Sequence, residues 1–161
     1  MQSLYKIKKN NIYYLLLTLS IYFLDRITKF KIINNYNGET YNVNDYINFD
    51  LVWNTGIGFG LLSVNSSLIY NLITILIGAI ILALIYFALN LNKLDKFSFS
   101  LIIGGAIGNF YDRLVYNAVP DFIDLHFENY HWFTFNIADI FITFGIVLYL
   151  GNGLFLKKNE N

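Results

Sequence analysis

Apolar residues fall into four stretches, 12–33, 68–89, 97–116 and 135–156. Each is long enough to cross a hydrocarbon core as a helix, which takes about 20 residues. The second is almost uninterrupted, whereas the other three carry ionisable residues toward one end. Between the first two, after an Asn37-Gly38 turn signal, Ile47, Phe49, Leu51 and Trp53 alternate with Tyr46, Asn48, Asp50 and Val52. That period of two predicts a half-buried strand, and with it a small sheet on the membrane surface. Gly56, Gly58 and Gly60 follow, serving either a re-entry turn or a close backbone approach to a ligand. The predicted class is membrane all-α: four transmembrane helices plus a small extracytoplasmic β-sheet, as one domain over 1–161.

The polar residues inside the stretches are not scattered. Helical spacing puts Thr18, Tyr22, Asp25, Arg26 and Lys29 on one face of the first, and Gly105, Asn109, Asp112, Arg113 and Tyr116 on one face of the third. Asn136, Asp139 and Thr143 share a face of the fourth. With alternating direction of crossing, all three stripes reach one level near the outer surface. Asn54, Gly56 and Asp121 arrive there from the connecting loops. Polar side chains at membrane depth face the bundle interior or a wet cavity, so a polar cluster just inside the outer leaflet is expected.

Composition supports this picture: 56% hydrophobic and 14% charged residues, with mean hydropathy +0.48, are too apolar for an ordinary soluble domain. The absence of cysteine excludes disulfides, thiolate catalysis and Cys-based metal sites. Net charge is zero, and the placement of the charges carries the information. Lys6, Lys8 and Lys9 precede the first stretch, Lys93 and Lys96 separate the second from the third, and Lys157 and Lys158 follow the fourth. The loops 34–67 and 117–134 contain no Lys or Arg but do contain Glu39, Asp45, Asp50, Asp121, Asp124 and Glu128. Because positive charge is retained inside, both termini are predicted cytoplasmic. The first stretch lacks a small-residue cleavage site, so it is expected to remain as an uncleaved span.

Several chemistries fit the cluster. Asp25 with Lys29, and Asp112 with Arg113 across helices, suit charge neutralisation and packing. Asn109 and Asn136 can orient a carboxylate or peptide carbonyl, or link helices. Asp121 and Asp139 have no basic neighbour in sequence. If they meet, they can share a proton, one activating water and the other polarising a carbonyl, as in aspartic proteases. Structural networks and ion pathways use such carboxylates too, and spacing alone leaves the three open. Against a transporter, the polar residues do not continue inward through 145–156 or 76–89. His126 and His131, with Asp124 or Glu128, lack a recognised zinc spacing and read better as interfacial residues of an aromatic belt. Ser63, Ser66 and Ser67 have no base placed to activate them.

The ordered motifs carry a resemblance. Asp25-Arg26-Ile27-Thr28-Lys29, Asn54-Thr55-Gly56, Gly104-Gly105-Ala106-Ile107-Gly108-Asn109 with Asp112-Arg113, Val119-Pro120-Asp121-Phe122 and Phe135-Asn136-Ile137-Ala138-Asp139 resemble those of lipoprotein signal peptidases (signal peptidase II), the bacterial membrane aspartic peptidases. The resemblance covers nearly the whole chain. It implies Asp121 and Asp139 as the catalytic dyad, supported by Asp25, Lys29, Asn54, Gly56, Asn109, Arg113 and Asn136, with no metal or other cofactor. It also implies a short outer helical segment able to cover the site. The implied substrates are prolipoproteins carrying diacylglyceryl on cysteine, cut on the N-terminal side of that residue. The expected setting is the bacterial cytoplasmic membrane, multi-pass, with membrane lipids around a monomer and no nucleic acid partner. Pro120 and Phe133-Thr134 depart from the usual pattern without removing a reacting group.

Overall fold

The computed structural model describes residues 9–35, 38–56 and 67–158. Four helices, α1 (Lys9–Asn35), α2 (Ser67–Ala88), α3 (Lys93–Tyr116) and α4 (Ile137–Lys158), form a bundle. Four strands, β1 (Tyr41–Asn44), β2 (Ile47–Asn54), β3 (Val119–Phe127) and β4 (Tyr130–Phe135), form one antiparallel sheet in sequence order. Each helix covers its predicted apolar stretch to within a few residues. α2 over Leu68–Ala88 and α4 over Ile137–Leu154 are long and apolar enough to cross a membrane, with mean hydropathies of 2.7 and 1.7. Charged side chains interrupt the apolar runs of α1 and α3.

α3 is the centre of the bundle and packs against α1, α2, α4 and β3. Two glycines allow the closest approaches. A methyl group at Gly105 would lie 2.5 Å from the Ala138 carbonyl oxygen of α4, and one at Gly108 would lie 2.5 Å from Asp25 Oδ2 of α1. Asn92 starts α3 by accepting from the Asp95 amide at 2.9 Å, and Asn117, in the left-handed region at φ 53°, ends it. The chain then turns directly into β3. At the end remote from the sheet, Lys96 Nζ donates to Asn11 Oδ1 at 2.9 Å and Asn152 Nδ2 to Asp95 Oδ1 at 2.8 Å, tying three helices together.

The sheet departs from the sequence expectation in two ways. β2 occupies the predicted segment, but its most buried positions are Asn48 and Asn54, and Trp53 is exposed. A register shift between Phe49 and Val52 breaks the alternation, and both asparagines turn inward to carboxylates on β3. The second loop, read as an aromatic belt, is a β3–β4 hairpin closed at Glu128, whose φ is 53°. Its aromatic residues alternate with polar ones too loosely for period two to stand out. Pro120 lies in β3 opposite Trp53, where β4 has not yet joined, so its missing N–H breaks no β3–β4 hydrogen bond. Among the described residues no short helix lies outside the bundle. Lys6, Lys8, Ser63, Ser66, Gly58 and Gly60 lie outside the described residues.

The interior is charged and the exterior is apolar. Lys29, Asn136, Asp25 and Asp112 are among the largest fully buried side chains, whereas Leu72, Ile75, Leu82 and Val147 are largely exposed. That inverts the distribution of a water-soluble domain.

Candidate active site

A network of two cations and two carboxylates joins α1 to α3. Lys29 Nζ meets Asp112 Oδ2 at 2.7 Å and Asp25 Oδ2 at 3.0 Å. Arg26 forks onto both oxygens of Asp112 and also reaches Asp25 Oδ2 at 2.9 Å. The guanidinium lies 4.9 Å from the Tyr111 ring centroid. Charges cancel within the group, which is what burial demands. The expected Asp25–Lys29 pair is present. Asp112 pairs across helices as anticipated, and Arg113 instead donates to the carbonyls of Asn109 (3.2 Å) and Gly56 (3.3 Å).

From this network two links run to the start of α4. Asp25 Oδ1 accepts from the Ala138 amide at 3.1 Å, so a carboxylate of one helix satisfies a free N–H at the N-terminus of another. The third proton of the Lys29 ammonium goes to Asn109 Oδ1 at 2.7 Å. With its oxygen held by that cation, the Asn109 amide turns its Nδ2 to Asp139 Oδ1 at 2.7 Å.

The same device recurs twice. Asn54 Oδ1 accepts from the Gly56 amide at 2.9 Å, which turns Asn54 Nδ2 to Asp121 Oδ2 at 2.8 Å. Asn136 Oδ1 accepts from the Asp139 amide at 3.1 Å, and its Nδ2 donates to Asp121 Oδ1 at 2.6 Å. Asn136 N in turn donates to Asp139 Oδ2 at 3.1 Å, closing a reciprocal capping box around the first turn of α4. Each amide is therefore oriented by what its oxygen receives, and all three aim donors at the two carboxylates.

Asp121 and Asp139 line one cavity of about 310 Å³, together with Asn54, Asn109 and Arg113, between α2, α3, α4 and the sheet. Burial, and after it the Asp139 carboxylate, push the Asp121 carboxyl up to about 6; the Asn54 and Asn136 amides and Lys29 oppose the rise. Two carboxyls lining one cavity, one of them raised to about 6, suit one group to act as a base and the other as an acid.

The residues expected at the site, Asp25, Lys29, Asn54, Gly56, Asn109, Arg113, Asp121, Asn136 and Asp139, form one connected set. Of the stripe ends, Thr143 lines the cavity of the two carboxyls, whereas Thr18, Tyr22 and Tyr116 do not join the set. Thr18 hydroxyl donates to the Ser100 carbonyl at 3.4 Å, Tyr22 packs edge-on against Tyr111, and Tyr116 packs against Trp53. His126 and His131 stack across β3 and β4, and His131 Nδ1 lies 2.7 Å from Asp124 Oδ2. Among the described residues no three His, Asp or Glu side chains converge as a metal site. The sequence reading missed the Asp25–Ala138 bond, the Gly108 approach and the capping box. Only the last had a local signal, an Asn three residues before an Asp at the start of an apolar run.

Comparison with known proteins shows the chain's relatives. Residues 17–155 match the family described as Signal peptidase (SPase) II. A lipoprotein signal peptidase of Pelagibacter ubique is 48% identical over 159 residues, spanning 96% of each chain. One from Francisella tularensis subsp. novicida is 37% identical over 153 residues, covering 91% of this chain and 94% of that one. A solved bacterial membrane enzyme superposes with a TM-score of 0.79 at 31% identity, covering 92% of this chain and 91% of the other.

Proposed function

Since the chain belongs to the signal peptidase II family, we propose that it is the aspartic endopeptidase that removes signal peptides from diacylglyceryl-modified prolipoproteins in a bacterial cytoplasmic membrane. It is a peptidase of lipoprotein signal peptides, as its relatives are named. Asp121 and Asp139 are its catalytic pair. The observation that carries this reading is the bridge through Asn136, whose side chain donates to Asp121 while its backbone N–H donates to Asp139.

In the proposed reaction a water lies between the two carboxyls. The ionised one takes a proton from it as the oxygen attacks the scissile carbonyl carbon, and the protonated one gives its proton to the carbonyl oxygen. The resulting tetrahedral diol collapses, the C–N bond breaks, and the leaving amine takes back a proton. Atoms balance as peptide plus water giving acid plus amine, and the dyad ends with the single proton it began with. Asn54, Asn109 and Asn136 hold both carboxyls in place throughout, with no metal in the reaction.

All four helices cross the membrane in this reading, with both termini inside and the sheet on the outer surface. The interior charges of α1 and α3 are shielded from lipid by the α1–α3 interface, so these helices fail a hydropathy test yet present apolar outer faces such as Phe23, Ile27 and Leu114. The enzyme acts as a monomer, with the dyad just inside the outer leaflet. Incubating the purified protein with lipidated and unlipidated prolipoprotein in the presence of a chelator tests the reading. Cleavage of the lipidated form alone, immediately before its cysteine, is expected. Loss of cleavage on chelation contradicts it.

A further inference from the structure

A groove of about 500 Å³ lies between α1 and α3 and shares no described residue with the cavity of Asp121 and Asp139. Phe23, Ile27 and Phe30 of α1 give it bulky apolar walls that are open to their surroundings. Tyr22 and Tyr111 meet edge-on along it. Its outer end is polar, where Lys31 of α1 and Tyr116 of α3 stand. At a rise of 1.5 Å per residue, Lys31 lies about 12 Å outward of Phe23 along α1.

The charges of the groove do not cancel. Arg26 and Lys29 line it too, but Asp25 and Asp112 neutralise them. Lys31 is exposed, and among the described residues no carboxylate pairs with it. One positive charge is therefore left over, and it sits at the outer end. One donor is left over as well: Arg26 Nε is buried without a hydrogen-bond partner, on a guanidinium already held over the Tyr111 ring. A cation at the outer end and apolar walls toward the membrane interior match an amphiphile with an anionic head. A second copy of the chain fits less well, because membrane helices pair through small residues and these walls are Phe and Ile. A substrate peptide has to reach Asp121 and Asp139, from which the groove is separate.

We infer that the groove between α1 and α3 is a binding site for an anionic phospholipid of the outer leaflet, with its phosphate at Lys31 and Tyr116 and a chain against Phe23 and Ile27. This lipid is a resident of the membrane and not the substrate, so the site does not depend on which peptide the dyad cuts. Occupancy braces the face of the charged network formed by Arg26 and Tyr111.

The chain carries its own reporter. Trp53 packs against Tyr116 at 5.4 Å between ring centroids, and Trp132→Phe leaves it as the sole tryptophan. In that background, in mixed micelles, Trp53 fluorescence is quenched with phosphatidylglycerol or with zwitterionic phosphatidylcholine, each brominated close to its ester groups. The apparent affinity is expected to favour phosphatidylglycerol about fivefold, the weight of one lysine beside an anionic lipid head. Lys31→Gln should bring the two lipids to parity, whereas Lys93→Gln, at the far end of the bundle, should leave the preference as it was. No preference before the lysine changes, a preference that survives Lys31→Gln, or an equal loss in both lysine variants overturns the site. Displacement of the lipid by inorganic phosphate alone shows that a free anion suffices and overturns the lipid assignment. Quenching that falls as protein is concentrated at a constant lipid-to-protein ratio shows a second copy in the groove and overturns it too.

Discussion

Asn136 carries two functions that a substitution can separate. Its side-chain oxygen caps α4 and its side-chain nitrogen holds Asp121. Asn136→Ser keeps a capping oxygen and loses the nitrogen, so thermal stability should stay near wild type while kcat falls about 10²-fold, the usual loss for one oriented donor. Asn136→Ala loses both and should also cost about 1 kcal/mol. Equal kcat values for Asn136→Ser and wild type contradict the role. Asp121 gives a pH signature. Below its ordinary value of 3.8, folded and unfolded chains both hold the proton; between 3.8 and about 6 only the unfolded chain ionises, so stability falls as pH rises. Above about 6 the full loss of about 3 kcal/mol is present. Asp121→Asn removes it, so the variant should gain about that much relative to wild type between pH 4 and pH 8 in micellar unfolding. A pH-independent difference contradicts the buried placement. In the sequence the acidic pair and the three asparagines stand out by type and spacing. Which way each amide faces does not, because Lys29, Gly56 N and Asp139 N are brought to those oxygens only by folding.

Between elements, the charged α1–α3 seam sets the site's frame. Lys29→Met leaves two buried carboxylates with only Arg26, and frees the Asn109 amide to rotate. A loss of about 3–5 kcal/mol is expected, with partial recovery when Asp112→Asn is added. Strict additivity of the two losses in unfolding experiments contradicts a shared network. Gly108→Ala pushes a methyl group against Asp25 and should cost about 1–3 kcal/mol, read by the same unfolding assay. The helices were legible because apolar runs of more than 18 residues have few alternatives. The hairpin of β3 and β4 was not, since His126, Phe127, Tyr130 and His131 are paired across strands without a clean alternation of polar and apolar residues. The inward turn of Asn48 and Asn54 in β2 was hidden as well, because the carboxylates of Asp124 and Asp121 that receive them are brought there only by folding.

For the whole molecule, the inverted distribution of charge and apolar surface makes sense only with lipid outside. The absence of cysteine provides a clean test of orientation. In intact cells an impermeant thiol reagent should label Asn42→Cys, on exposed β1, and should label Asn90→Cys, between α2 and α3, only after permeabilisation. The reverse pattern contradicts the proposed topology. Lys/Arg placement is the sequence feature that argues for the proposed topology, whereas the union of three helices and two strands at one pair of carboxylates depends on contacts as distant as Asp25 to Ala138. The buried residues Asp25, Lys29, Asn54, Asn109 and Asn136 lead by hydrogen bonds to Asp121, Asp139 or the first turn of α4. The most direct measurement is therefore cleavage of a diacylglyceryl-modified prolipoprotein by purified wild type, Asp121→Asn and Asp139→Asn, each first checked for folding. Wild type should cut before the lipidated cysteine and both variants should be inactive to the limit of detection; full cleavage by either folded variant contradicts the dyad.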